Sequence, residues 1–314
     1  MPYTADDLVA AVRMRCQLPD ATADGKFTDA NIRELANEEF LTTLLATLRG
    51  SRGDYYVTSL DYQVAVGVSD YAIPSRAQGA SLRDLTIIDQ SGNGHSVPHI
   101  PLEDSDLFAN NGSFYWPRGV AHVIEGNMIR LRPAPTAAGD TLRVRYYQRP
   151  GRLVGAAEAM QITSITPFGA VTVLAGDVPA SWGVTNKFDV IAASPTFDSL
   201  SEQLTPTGVT TGVGGNIIFT AAELNSGIQV GDWVALETES PVVQLPVELQ
   251  PALTSATCVR VLESLGDLSA AGIAQSKLSE QLDRGLVQLE PRNQGEDIRI
   301  FSRRSPLRSG GRWW

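Results

Sequence analysis

Lysine is scarce in this chain. Of its 25 lysines and arginines only Lys26, Lys187 and Lys277 are lysines, so nearly all the positive charge is guanidinium. A guanidinium group is a planar fork of donors that holds carboxylates and backbone carbonyls in fixed geometry, which suits interfaces. A genome-wide preference for arginine codons would give the same ratio. Cysteine is scarcer still. Cys16 and Cys258 stand far apart and in no CxxC unit, which excludes a disulfide framework and a cysteine-based zinc site. Both read as core residues on helix faces in a reduced setting. No run of about 18 apolar residues occurs, so no membrane-spanning helix is expected. Residues Met1–Asp7 lack a basic region ahead of an apolar run, so the expectation is no secretory signal and synthesis in the cytoplasm.

Signatures of chemistry are missing as well. The three histidines, His95, His99 and His122, have no cysteine or carboxylate at ligand spacing, so they read as surface or turn residues. The glycine pairs Gly92/Gly94 and Gly212/Gly214 do not open a helix after a strand, so they read as turns and not as phosphate loops. The paired carboxylates Glu38/Glu39 and Asp104/Asp106 read as solvated faces or caps. No serine stands in a Gly-x-Ser-x-Gly elbow. The expectation is therefore a protein that is not an enzyme, with no catalytic, metal-binding or cofactor-binding residue.

What is present is a chain of 314 residues, 43% hydrophobic and 19% charged, enough for a substantial core and for two or three domains. The formal net charge of −10 argues against a general nucleic-acid binder. The fold class reads as α+β. Thr4 and Asp7 have capping-box spacing ahead of Leu8, Val9, Val12 and Cys16, and Pro19 and Gly25 end that helix. Thr28 caps a second helix, with Ile32, Leu35, Ala36, Phe40, Leu44, Leu45 and Leu48 on its apolar face and Gly50 and Gly53 at its end. Strands follow. Tyr56, Thr58, Leu60, Tyr62, Val64 and Val66 alternate as in a half-buried strand, and Leu82–Asp89 forms another before a Ser91–Gly94 turn. Val120–Glu125 and Met128–Arg132 make a second hairpin. Thr141–Gln148 has Leu142, Val144 and Tyr146 on one face, and Arg143, Arg145 and Tyr147 on the other.

Between residues 155 and 240 arginine disappears, leaving Lys187 against nine acidic residues in a Thr-, Val-, Gly- and Ser-rich stretch. This reads as a small all-β module inserted into its host, with 208–215 as its most mobile loop. Helices resume at Pro246, with Leu249, Leu253, Ala256, Val259, Val261, Leu262 and Leu265 on one face as far as Gly266. Asp267 caps the next helix, which carries Ile273, Leu278, Leu282, Leu286 and Leu289. The domain reading is thus 1–53 and 241–297 as a helical bundle, 54–154 as a central antiparallel β region, 155–240 as the inserted β module, and 298–314 as an extended tail.

Two features point to partners. Phe114–Pro117 is an aromatic cluster that reads either as core packing at a domain edge or as an interface anchor. After Asp297 no acidic residue occurs, and the tail interleaves arginines with apolar side chains before ending on Trp313 and Trp314. A solvated tail, a nucleic-acid arm and a docking segment are the three readings. Docking is preferred, because burying one large apolar side chain gains about 1.5–3 kcal/mol, which offsets part of the ordering entropy. The docking residues are read as Ile298, Phe301, Arg303, Arg304, Leu307, Arg308, Arg312, Trp313 and Trp314.

The order of the elements resembles the head-to-tail connector (adaptor) proteins of tailed bacteriophages. The stretches that carry the resemblance are YAIPS at 71–75, LRDLTI at 82–87, IEGNMIRLRPAP at 124–135, LRVRYYQRP at 142–150, LPVEL at 245–249 and VLESLGD at 261–267. It covers roughly residues 1–150 and 241–300, and 155–240 departs from it. The resemblance implies a structural virion protein at the capsid–tail junction. It would form a ring of twelve subunits under the portal protein, extend the DNA channel and offer a platform to tail (nozzle or tubular) and fibre proteins. The tail 298–314 would then reach the portal. DNA would pass through without sequence-specific binding, helped by a mainly acidic body. The rival reading is a tail or receptor-side binding protein whose β insert contacts a glycan or another virion protein.

Overall fold

The computed structural model describes residues 3–19, 27–51, 56–104, 120–193 and 199–289. Helix α1 (Ala5–Cys16) starts at a reciprocal cap in which Thr4 Oγ1 accepts from the Asp7 amide and Asp7 accepts from the Thr4 amide. This satisfies donors that the first helical turn would otherwise leave unpaired. Helix α2 (Asp29–Glu39) starts from Thr28, passes through a π-helical turn at Phe40–Leu44, and continues as α3 (Leu45–Ser51). The apolar positions expected on one regular helix therefore lie on an interrupted one. The wide turn, closed by the Leu45 amide on the Phe40 carbonyl, inserts an extra residue and lets Phe40, Leu44, Leu45 and Leu48 all be buried.

At the other end of the sequence α4 (Gln250–Leu265) and α5 (Leu268–Leu289) form a hairpin around Gly266, with Asp267 Oδ1 accepting from the Ala270 amide. The helix starts later than Pro246 implied. Pro246–Leu249 is a turn, and Pro251 occupies the first helical positions. Leu8, Val12 and Cys16 of α1, Ile32 and Phe40 of the α2 segment, Leu249 at the cap of α4, and Leu253 and Val261 of α4 share one core. The two ends of the sequence are also tied by backbone, since the Ala5 amide donates to Pro241 O and the Val243 amide to Tyr3 O. Both cysteines are buried in this core, as expected. Ile273, expected on the apolar face of α5, is 61% exposed, because α5 packs mainly along α4 and turns this residue outward.

The middle of the chain is a set of antiparallel sheets, so the protein is mixed α/β. Strands β1 (Val57–Gln63), β7 (Thr141–Gln148), β3 (Ala77–Ile88) and β4 (Gly94–Ser96) make the first sheet in that order. Strands β2 (Asp70–Ala72), β6 (Met128–Arg132) and β5 (Ala121–Glu125) make a second. The two close over a core of Leu85, Ile87, Ile129, Leu131, Leu142, Val144 and Tyr146. Strand β7 alternates as its sequence implied. Strand β1 does not: Leu60 is 40% and Val66 60% exposed, because β1 is the edge of its sheet and the strand ends at Gln63.

Residues 152–240 leave and return side by side. Strand β8 (Arg152–Leu153) pairs in parallel with β17 (Glu239–Ser240). Gly151 has no room for a β-carbon here, since one would lie 2.8 Å from Ser240 Cβ. Between these legs, β10 (Ser164–Phe168), β11 (Val171–Val178), β15 (Gly212–Thr220) and β14 (Gly208–Thr210) form one sheet in that order. A second contains β13 (Ser199–Leu204), β12 (Phe188–Ile191), β16 (Trp233–Leu236) and β9 (Met160–Gln161). They share a core in which the Phe188 ring stands 4.9 Å from Trp182 and 6.2 Å from Phe219, centroid to centroid. The stretch 208–215, expected to be a loose loop, supplies paired strand residues. Its glycines allow close backbone approach: a β-carbon on Gly215 would lie 2.2 Å from Thr210 O.

Candidate functional site

The best-built polar site lies where the first sheet meets the 152–240 excursion. Arg76 sits in the turn before β3, and its side chain is 3% exposed. Its Nη1 donates to Asp189 Oδ2 at 2.8 Å, Ser199 Oγ at 3.2 Å and Glu202 Oε1 at 3.3 Å, and its Nη2 donates to Arg149 O at 3.1 Å. Asp189 is fully buried on β12 and also accepts from the amides of Gln203 and Thr238, both at 2.9 Å. Those two residues have φ of 55° and 70°, so the carboxylate stabilises two left-handed backbone positions that non-glycine residues rarely adopt. Burial of ions is tolerated here because almost every donor and acceptor around them is engaged.

Glu202 on β13 completes the cluster, accepting from the Gln148 side chain and from Tyr146 Oη at 3.5 Å. Desolvation raises its pKa, against the lowering influence of Arg76. Burial also raises Tyr146, which remains a neutral phenol. In this arrangement each named side chain hydrogen-bonds another member of the cluster. It ties β3 and β7 to β12 and β13 across a boundary that the sequence pattern marked only as a change of composition. Beside it opens a cleft of about 330 Å³, lined by Glu34, Phe40 and Leu41 of the helical part and by Arg149, Arg152 and Thr238 of the connecting legs. Arg152 and Glu34 close one side at 2.9 Å.

Two readings of single residues change. His122, expected in a turn or on the surface, is 5% exposed on β5, and its Nδ1–H donates to Val97 O at 3.1 Å. Burial pushes its pKa down to about 4, and the neighbouring His99 ring, 5.3 Å away, acts in the same direction. His95 is half-buried near Asp89. Among the described residues no group of three or more His, Cys, Asp or Glu could hold a metal, and no helix is long and apolar enough to cross a membrane. Glu39, expected on a solvated face, is buried; it pairs with Arg260 at 2.5 Å and accepts from Thr43 Oγ1. Arg260 on α4 draws it in. Asp104 is exposed, as a cap or solvated residue should be, and Asp106 lies outside the described residues.

Every docking residue read from the tail, Ile298, Phe301, Arg303, Arg304, Leu307, Arg308, Arg312, Trp313 and Trp314, lies outside the described residues, as does the cluster Phe114–Pro117. The hub residues were missed. Arg76 and Asp189 are 113 positions apart, and neither belongs to a local motif. The absence of arginine from 155–240 was the one usable signal, because buried carboxylates there had to find their cation elsewhere.

The sequence model of a family described as SU10 adaptor protein matches residues 3–173. These bounds run from before α1, past both sheets of the first sandwich, into β11. It extends further into the 155–240 stretch than the sequence motifs implied, and it does not include the C-terminal helices. No curated protein sequence matches the chain.

Proposed function

Because the chain belongs to the SU10 adaptor protein family of bacteriophages, we propose that it joins the portal at the capsid vertex to the tail, without catalysis, as one subunit of a ring extending the DNA channel. The observation that carries this reading is the family match over 3–173, which spans the N-terminal helices, the first β sandwich and the outgoing leg β8. Twelve copies under the portal would place it in the virion at the capsid–tail junction, in contact with tail and fibre proteins. The net charge of −10 supports a channel through which DNA slides without being retained.

In this reading the domain boundaries have distinct tasks. The helical parts 1–53 and 241–297 and the β region 54–154 form the body. The module 155–240 projects from it, held by the Arg76 cluster. The segment 298–314 docks on the portal, with Trp313 and Trp314 in apolar clefts and Arg303, Arg304, Arg308 and Arg312 on portal carboxylates. Removing residues 298–314 abolishes co-sedimentation with portal rings and leaves the circular dichroism spectrum and melting temperature of the subunit unchanged. Full-strength binding by the shortened chain refutes the docking role.

Exposed apolar side chains on hairpins of the module, Phe168 at 77% and Val213 at 94%, favour a contact task for it as well. A glycan screen and a pull-down with tail proteins, both using the full chain and a Phe168→Ser variant, separate receptor binding from tail attachment.

A further inference from the structure

The solvent face of the first sheet carries cations that the chain itself does not match. On β7, Arg143 Nη2 lies 2.7 Å from Asp61 Oδ2, and Arg145 Nη1 lies 2.9 Å from Asp84 Oδ1. Two neighbouring arginines have no carboxylate partner among the described residues. Arg83 is exposed at the point where β3 slips register against β7, between the pairs Leu82–Tyr146 and Asp84–Arg145. A bulge of this kind turns a side chain out of the regular alternation. Arg49 reaches over from α3 and lays its guanidinium 4.4 Å above the Tyr147 ring, with its Nε and Nη2 buried and without an acceptor. Arg83, Arg145, Val57 and Ser59 floor an open depression of about 560 Å³ alongside the edge strand β1.

The opposite charge is concentrated elsewhere in the same molecule. Residues 155–240 contain nine carboxylates, no arginine and the single cation Lys187. Some of these carboxylates are used internally, Asp189 and Glu202 by Arg76 and Glu158 by Arg33. Glu223 is exposed, and neither it nor Glu237 has an ion-pair partner among the described residues.

We propose that the arginine face formed by Arg83, Arg143 and Arg145 docks against the acidic 155–240 module of a neighbouring copy. The proposal rests on the ring reading above and names which surfaces would meet in it. A ring of identical subunits needs two different, mutually complementary faces on each one, and these two differ in charge sign. Planar guanidinium groups suit carboxylates held at fixed positions. Asp61 and Asp84 already neutralise Arg143 and Arg145, so the face offers few free cations to a continuous polyanion, whose binding depends on many neutralised phosphates.

The test follows assembly of the full chain over a concentration series by mass photometry and negative-stain microscopy. Arg83 is exposed, so Arg83→Glu leaves the fold intact, which circular dichroism checks. Arg83→Glu, and separately the pair Glu223→Arg and Glu237→Arg, should each raise the concentration for half-assembly by about tenfold or more. Combining all three substitutions in one chain should restore most of that loss. Assembly unaffected by either reversal overturns the proposal and leaves the ring reading standing. Weakening without recovery in the triple variant removes the module as the partner. Rings that persist but lose retention of duplex DNA in Arg83→Glu assign the face to nucleic acid and overturn the proposal. A wild-type chain that forms no ring, with or without portal, defeats the ring reading itself.

Discussion

Arg76 Nη1 and Asp189 Oδ2 lie 2.8 Å apart, with side chains 3% and 0% exposed, and join positions 113 residues apart in sequence. Removing one member strands the other as an uncompensated buried charge. Arg76→Ala should therefore destabilise the protein by about 3–5 kcal/mol in chemical denaturation. Arg76→Lys should recover only part of this, because one ammonium cannot reproduce the fork that reaches Asp189, Glu202 and Arg149 O together. A loss below about 1 kcal/mol for Arg76→Ala would show that the junction is held by other contacts.

Glu202 and Asp189 should respond differently to neutralisation. Asp189 accepts from one guanidinium and two backbone amides, and Asn offers one oxygen in place of two, so Asp189→Asn should be strongly destabilising. Desolvation raises the pKa of Glu202 above its ordinary 4.5, so its charged form already carries a penalty in the fold. The sign follows: stability associated with this group falls as pH rises from 4.5 through the folded value. Glu202→Gln should cost less than about 1 kcal/mol at neutral pH and flatten that part of the stability profile. Equal costs for the two variants would contradict this assignment.

His122 gives the opposite slope. Its pKa is about 4 in the fold, against 6.5 for an unburied imidazole. Between those values the unfolded chain takes up a proton that the folded chain refuses. Stability is therefore lost as pH falls from 6.5 towards 4, by about 3 kcal/mol at most. A His122→Gln variant should lose this component, measured as the difference between denaturation midpoints of the two proteins at pH 7 and pH 4.5. Parallel profiles would mean that the folded and unfolded chains bind this proton equally.

Gly151 marks where the two legs of the 152–240 excursion touch. A β-carbon there would lie 2.8 Å from Ser240 Cβ and 3.0 Å from the Glu239 carbonyl carbon. Gly151→Ala should cost about 1–3 kcal/mol by overpacking, and limited proteolysis should open this junction first. An unchanged melting temperature would show that the legs separate freely.

Much of the fold was legible because it is written in local spacing. The Thr4–Asp7 cap, the Thr28 cap, the turn at Gly126 and the alternation along Thr141–Gln148 each depend on residues a few positions apart. The misreadings share a cause. Glu39 looked solvated until Arg260 reached it from α4, His122 looked like a turn residue until its Nδ1–H met the Val97 carbonyl, and Leu60 looked half-buried until β1 proved to be an edge. Each depends on a neighbour that no spacing rule can locate.

The sequence by itself determined the caps at Thr4 and Thr28, the two faces of β7, the concentration of negative charge in 155–240, the basic and aromatic character of 298–314, and the motif order that led to the family. These are properties of composition and short-range periodicity. Only the tertiary structure decided that Arg76 neutralises Asp189 and Glu202, that the legs at Gly151 and Ser240 run side by side, and that Arg49 and Arg83 have no carboxylate partner among the described residues. The physical reason is that a charge acquires its energetic meaning from what surrounds it in space. Burial, pairing and register are set by contacts between residues far apart along the chain, such as Arg76 and Asp189 at 113 positions.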